Sequence, residues 1–151
     1  MRFSARVDYA VRAAAELAAA RPGPVPAQDI AEAQRIPLRF LETILLEMRR
    51  AGIVRSQCGH DGGYWLDRPA ADISLAEVIR AVRGPLASVR GERPEDLDYA
   101  GPAAALRDVW IALRASERRI LECVSLADVV NGDLPGAIRT LAHDPDSWEP
   151  R

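Results

Sequence analysis

Residues 49–66 read RRAGIVRSQCGHDGGYWL, and this stretch constrains the fold more than any other. Gly52 stops the helical pattern that precedes it, because a helix C-terminus commonly needs a left-handed residue that glycine supplies at no steric cost. "IVRSQ" then makes a short strand with Ile53 and Val54 as its apolar part, "CGHDGG" has turn composition, and "YWL" returns as a second strand. The unit is a β-hairpin entered directly from a helix. At its tip stands Cys58, one of two cysteines in the chain.

Helical patterns lie on both sides. Val7, Ala10, Val11, Ala14, Leu17 and Ala18 recur at helical spacing and predict a helix over 4–20, with Ser4 as its N-cap. "RPGPVPA" (21–27) ends it, since three prolines and a glycine do not continue a helix. A short helix is expected over 27–34 with Ile30 and Ala31 facing inward. Another follows over 37–51, opened by Pro37 and carrying Phe40, Leu41, Ile44, Leu45 and Met48. Beyond the hairpin, Ser74 and Glu77 have capping-box spacing for a helix that stops before Gly84-Pro85. Residues 86–101, "LASVRGERPEDLDYAG", are polar and punctuated by Gly and Pro, so a loop is expected there. A long helix is predicted over 102–124, then a short one over 125–131 from Ser125 to the stop at Gly132. The tail is expected to be poorly ordered, with Ile138 and Leu141 as its docking points.

A chain of 151 residues makes one ordinary domain, or a small domain with an appended helical element. Its apolar fraction of 48% suffices for a core, and an aromatic fraction of 5% leaves Ala, Leu, Ile and Val to fill it. No apolar run approaches the roughly 20 residues that cross a bilayer, and the N-terminus lacks a signal-peptide pattern; a cytoplasmic protein is expected. Cys58 and Cys123 lie far apart without C-x-x-C spacing, which argues against a disulfide framework, a zinc knuckle or a self-sufficient iron–sulfur site. No metal or cofactor is expected. There is no P-loop, no G-x-G-x-x-G and no credible nucleophile–base set among two histidines, so the chain does not read as an enzyme. All 20 basic residues are Arg, and the net charge of −2 is unevenly spread. Residues 1–68 hold ten Arg against eight acids (net +2), and residues 69–151 hold ten against fourteen (net −4). That polarity permits a nucleic-acid-binding first half.

Helix, short helix, turn, helix and hairpin is the order of a winged helix-turn-helix. The helix over 37–51 has an apolar face for the core and is expected to leave Arg39, Thr43, Glu47 and Arg50 outside. A helix of that width enters the major groove with its N-terminal side chains at base edges. The hairpin would then lie on flanking backbone or in the minor groove, with Arg49, Arg50 and Arg55 where phosphates are expected. The same arginines would also suit the ordinary surface of an αβ domain; element order, turn chemistry and charge placement together favour DNA. A winged helix that binds a partner protein instead is the competing class, and the salt dependence of duplex binding separates the two.

"MRFSARVDYAVRAAAELA", "IPLRFLETILLEMRRAGIVRSQCGHDGGYWLDRPAADISLAEVIRAVRGPL" and the later long helix resemble the Rrf-type winged-helix regulators, the group that includes IscR, NsrR and CymR. The resemblance covers about residues 1–131 and is most specific over 48–69. It implies a mainly α fold with a small β-hairpin: a winged helix-turn-helix domain over 1–85, an effector or variable loop over 86–101, a dimerisation helix and short helix over 102–131, and a tail over 132–151. It further implies a homodimeric bacterial transcription factor, a repressor on a palindromic operator in double-stranded DNA. The DNA-contacting residues would be Arg2, Gln28, Pro37, Leu38, Arg39, Phe40, Thr43, Arg49, Arg50, Arg55, Ser56, Cys58, Gly59 and His60. Leu106, Val109, Trp110, Leu113, Ile120, Leu121 and Val124 would form the dimerisation stripe, although their periodicity fits intrachain packing equally well.

Two departures from the family pattern matter. Cluster-binding members carry three cysteines in the loop before the dimerisation helix and at its start, where this chain has none. Asp8 stands where some relatives supply an acidic ligand, but a lone Asp without thiolates does not hold an iron–sulfur cluster. Asp8 is therefore expected to be solvated or ion-paired. The chain is more similar to the cluster-free, CymR-like branch, with control through a partner protein, a small ligand or thiol chemistry. The second departure is Cys58-Gly59, where family wings commonly read Arg-Gly. An arginine gains from the negative potential of a narrow minor groove and a thiol does not, which would lower salt dependence by about one phosphate-equivalent. His60, Arg55 and the turn amides favour oxidation of Cys58, while Asp61 and exposure oppose it. Cys58 is thus either a lost contact or a redox switch. Cys123 is expected in the core or an interface, and His143 on the surface.

Overall fold

Ser4 opens the first helix as expected: its Oγ accepts from the Val7 amide at 3.4 Å, and α1 (Ala5–Ala19) follows. In the computed structural model, which describes residues 3–149, α1 is the central element. Its buried stripe of Val7, Ala10, Ala13, Ala14 and Leu17 is mostly alanine, and it packs against three further helices within residues 27–83, the hairpin and a helix from the C-terminal part. Arg2 lies outside the described residues.

Helices α2 (Ala27–Gln34) and α3 (Leu38–Arg50) are joined at Arg35, which takes a left-handed backbone (φ 53°) without being glycine. Its amide and that of Ile36 close the end of α2 on the Glu32 and Ala31 carbonyls. Pro37 is the N-cap rather than the first helical residue. Helix α3 buries Leu41, Ile44, Leu45 and Met48 completely; each such side chain contributes about 1.5–3 kcal/mol relative to exposure, before entropy is counted. That burial fixes which side of α3 is left to solvent.

The hairpin pairs β1 (Val54–Gln57) with β2 (Gly63–Leu66) antiparallel, Val54 opposite Leu66 and Ser56 opposite Tyr64. "RPGPVPA" does more than stop a helix. Val25 exchanges two backbone hydrogen bonds with Tyr64, at 2.9 and 2.8 Å, and so pins the wing to the α1–α2 connection. The close approach explains the double glycine. A Cβ on Gly63 would lie 2.5 Å from the Val25 carbonyl carbon and 2.8 Å from its nitrogen; one on Gly62 would meet Gln57 O and Gly59 O across the turn.

Helix α4 (Leu75–Arg83) carries the expected capping box between Ser74 and Glu77. Burial would push the Glu77 carboxyl up, but the Ser74 amide and Arg68 outweigh it and hold Glu77 below its ordinary value. Residues 86–101 are less free than their composition implies: Leu86 and Leu97 are buried, Pro94 is buried in a short 3-10 turn, and Val89 and Glu92 bond reciprocally. The next helix, α5 (Leu106–Cys123), starts later than predicted because Gly101–Ala103 forms a separate 3-10 turn. Helix α6 (Leu126–Asn131) is capped by Ser125 and Asp128 and inserts Leu126 fully into the core beside α1. Bonds from the Leu75 amide to Val124 O and from the Leu126 amide to Ile73 O, both 2.9 Å, tie this junction to the start of α4.

Two expectations are corrected. The tail forms α7 (Gly136–His143) and a 3-10 turn (Pro145–Trp148), stitched by Trp148 Nε1 to Ala142 O at 2.7 Å and Ser147 Oγ to Leu141 O at 2.8 Å. Its order comes from local bonds, and Leu141 stays exposed rather than docking. Cys123 is exposed rather than in the core, because Leu121 and Val124 occupy the inward positions around it, and its expected place in an interface stays a separate matter of assembly. No helix among the described residues is long and apolar enough to cross a membrane.

Candidate nucleic-acid interface

The N-terminal end of α3 gathers the first group of candidates. Pro37, Arg39, Phe40 and Thr43 are exposed, while Leu38 is half-buried against the core. Phe40 meets Tyr9 edge-on at 5.8 Å between ring centroids, and the Arg12 guanidinium lies 5.5 Å from the Tyr9 ring. Arg12 also pairs with Asp8 at 2.9 Å, so Asp8 is ion-paired as expected. Thr43 Oγ1 donates to Arg39 O at 3.2 Å. Gln28, on α2, is exposed and donates to Glu32 at 2.6 Å.

Glu47 does not stand outside as predicted. It is half-buried and forms an ion pair with Arg6, whose Nε donates to Val82 O at 3.1 Å. One side chain from α1 thereby joins α3 to the last turn of α4. Arg6 also lines a shallow depression with Arg39, Phe40 and Thr43, while its guanidinium is held by Glu47 and the Val82 carbonyl. The sequence reading missed Arg6; its position in the first turn of the helix carried no signal, because its partners come from two distant helices.

The second group lies on the hairpin. Arg49, at the end of α3, donates to Ser56 Oγ at 3.0 Å, and these two share a shallow surface depression with Arg55 and Trp65. Arg55 is paired with Asp67, so part of its charge is already answered within the wing. Arg50 is exposed. Cys58, Gly59 (φ 113°) and His60 are exposed at the tip. The resulting surface has a donor-rich helix end, an aromatic edge and a hairpin with arginine at its base.

The predicted dimerisation stripe divides between two faces. Val124 is 3% exposed, Leu121 packs on the core, and Trp110 is half-buried with its Nε1 donating to Tyr99 Oη at 3.1 Å. These three serve the chain's own body. Leu106, Val109, Leu113 and Ile120 are between 39% and 52% exposed and form a separate apolar stripe along α5.

An iron–sulfur cluster requires a set of thiolates. Cys58 is at the wing tip and Cys123 is the last residue of α5, and among the described residues no group of three His, Cys, Asp or Glu could hold a metal ion. The donor set present does not fit a cluster.

A helix-turn-helix whose second helix presents arginine, threonine and an aromatic edge, followed by a two-stranded wing, defines a winged-helix DNA-binding regulator. The family described as Rrf2, iron-dependent transcriptional regulator, matches residues 3–132, and the chain belongs to it. It is 52% identical over 145 residues to the HTH-type transcriptional regulator Rv1287 of Mycobacterium tuberculosis (strain ATCC 25618 / H37Rv), covering 95% of this chain and 90% of the relative. It is 35% identical over 132 residues to the HTH-type transcriptional regulator IscR of Photorhabdus laumondii subsp. laumondii, covering 87% and 80%. Among solved structures it is similar to CymR, the global cysteine regulator of B. subtilis, with TM-score 0.73 and 28% identity over 87% of this chain and 98% of that one. T. potens IscR gives TM-score 0.71 and 28% identity, covering 92% and 96%. These relatives are regulators of transcription, and the chain is one of them rather than an enzyme.

Proposed function

We propose that the chain is a homodimeric repressor acting in the bacterial cytoplasm, where the chromosome it reads is found. It binds a palindromic operator with α3 in the major groove and the hairpin on flanking backbone or in the minor groove. The observation that carries this reading is the end of α3, where Arg39, Phe40 and Thr43 stand exposed beside Arg6 on a helix whose opposite face is fully buried. Side chains there reach base edges, while Arg49, Arg50 and Arg55 are placed to meet phosphates. The exposed stripe Leu106–Val109–Leu113–Ile120 supports pairing of α5 with a second copy, and a two-fold dimer calls for a palindromic site. With only two separated thiols, the regulator works without an iron–sulfur cluster.

Duplexes selected from a random pool test this. Arg39→Ala lowers the ratio of selected to non-specific affinity by about tenfold or more, within the 1–3 kcal/mol of a good base contact. Arg50→Ala weakens both affinities evenly and reduces the salt slope by about one. An unchanged ratio for Arg39→Ala refutes the placement of α3, and no salt-dependent duplex affinity at all favours a protein partner. Alkylation of Cys58 measures the wing contact directly: unchanged operator affinity disposes of a thiol switch.

A further inference from the structure

Residues 69–151 carry ten Arg among fourteen acids, yet four of those arginines converge on one cavity. Arg80 from α4, Arg93 from the 86–101 loop, and Arg114 and Arg118 from α5 line a space of about 480 Å³, with Leu86 and Pro94 as apolar wall. Small-molecule sites commonly run from about 300 to 1,000 Å³. The guanidiniums are under-supplied with carboxylate. Glu122 is shared by Arg80 and Arg118, the latter at 3.2 Å, and Glu95 is shared by Arg114 and Arg93, the latter at 3.9 Å. Even with Glu92, which also lines the cavity, the set keeps a positive excess in the acidic half of the chain. The hydrogen bond from Arg80 holds Glu122 below its ordinary value, and its own amide followed by Arg114 does the same for Glu95. The loop closing the cavity holds two non-glycine residues, Ala87 (φ 49°) and Arg90 (φ 55°), in the left-handed region, a conformation retained only where the surroundings enforce it.

We propose that this cavity is an effector site for a small polyanion, a molecule with two or more carboxylate or phosphate groups. Such a group accepts two parallel N–H bonds from a guanidinium fork, so the ligand takes over forks now divided between Glu95 and Glu122. The site reaches the DNA-reading surface by a short path. Arg80 belongs to the last turns of α4, the same stretch whose Val82 carbonyl accepts from Arg6, and Arg6 is paired with Glu47 on α3. Anion binding stands on the cavity alone; its effector role rests on the DNA-binding reading above.

Thermal unfolding of the full chain, free of DNA, tests the site with inorganic phosphate and with citrate, each against sodium chloride at matched ionic strength. At about ten times its dissociation constant the bound anion raises the midpoint by roughly 3–5 °C. A rise with phosphate alone assigns phosphate groups to the ligand, and a rise with citrate alone assigns carboxylates. Arg114→Gln and Arg118→Gln abolish the rise; Arg119→Gln, exposed on the same helix and outside the cavity, keeps it. Arg118 is itself more than half exposed, so its variant folds and reports binding. No rise with either anion, or equal loss in Arg119→Gln, overturns the site. In a second arm, the anion changes duplex affinity of the wild-type chain at matched ionic strength by fivefold or more and leaves Arg114→Gln unmoved. Duplex binding that ignores the anion overturns the effector role, whereas a midpoint rise without any duplex binding upholds the anion site and refutes the DNA reading.

Discussion

Gly63→Ala offers the most direct test of how the wing is held. The new methyl would lie 2.5 and 2.8 Å from the Val25 carbonyl carbon and nitrogen, and both are backbone atoms with no side chain to swing aside. To accept it, the hairpin must move away from residue 25 and give up the two hydrogen bonds, 2.9 and 2.8 Å, that join Val25 to Tyr64. Each such bond is worth about 0.5–1.5 kcal/mol net, and displacement of packed backbone adds about 1–2 kcal/mol. The expected cost is therefore about 2–5 kcal/mol. In a chain of this size that lowers the thermal midpoint by roughly 5–15 °C, and urea unfolding measures the free energy directly. The matched control is Gly59→Ala, at the tip: it has φ 113° but nothing within 4 Å of the added carbon. It carries backbone strain alone, about 1–2 kcal/mol. The same comparison reads function, because Gly63→Ala displaces the wing and weakens duplex binding. If Gly63→Ala costs no more than Gly59→Ala, the close approach to Val25 is not what requires glycine and the account of the wing anchor fails.

Leu113→Glu places a charge in the middle of the exposed α5 stripe and converts the dimer to a monomer by light scattering, while the melting of the monomer is little changed; a dimer that persists refutes the stripe as the interface. Arg6→Met leaves Glu47 half-buried without its partner and costs about 1–2 kcal/mol in urea unfolding, and adding Glu47→Leu to it costs less than the two changes summed; strict additivity would show that the pair is not coupled. Glu77 and Glu122 are both held below their ordinary value of 4.5, so the stability they contribute is present above that pH and is lost as pH falls through their folded values. Accordingly Ser74→Ala costs about 1 kcal/mol near neutrality and less at acid pH, where Glu77 is protonated and the capping box is already weakened; a cost that grows on acidification would contradict this.

The sequence by itself determined those parts of the protein whose causes are local. Caps at Ser4, Ser74 and Ser125, the helical spacing of Leu41, Ile44, Leu45 and Met48, the stop at Gly52 and the glycine-bearing hairpin all depend on residues within a few positions of one another, and each element formed where its pattern stood. Family membership was legible for the same reason, since the 48–69 motif is one contiguous run. The tertiary structure decided what each helix face meets. Glu47 reads as an outward residue until Arg6 and Val82 arrive from two other helices. Val25 is an anonymous residue in a proline-rich break until Tyr64 pairs with it. The apolar positions between 106 and 124 satisfy one periodicity, yet Trp110, Leu121 and Val124 turn inward while Leu106, Val109, Leu113 and Ile120 remain outside. Four arginines scattered between positions 80 and 118 form one cavity only when α4, the loop and α5 are folded together. Local patterns fix backbone conformation through caps, turns and periodicity; which side chains become partners depends on contacts distant in sequence, and no window along the chain contains them.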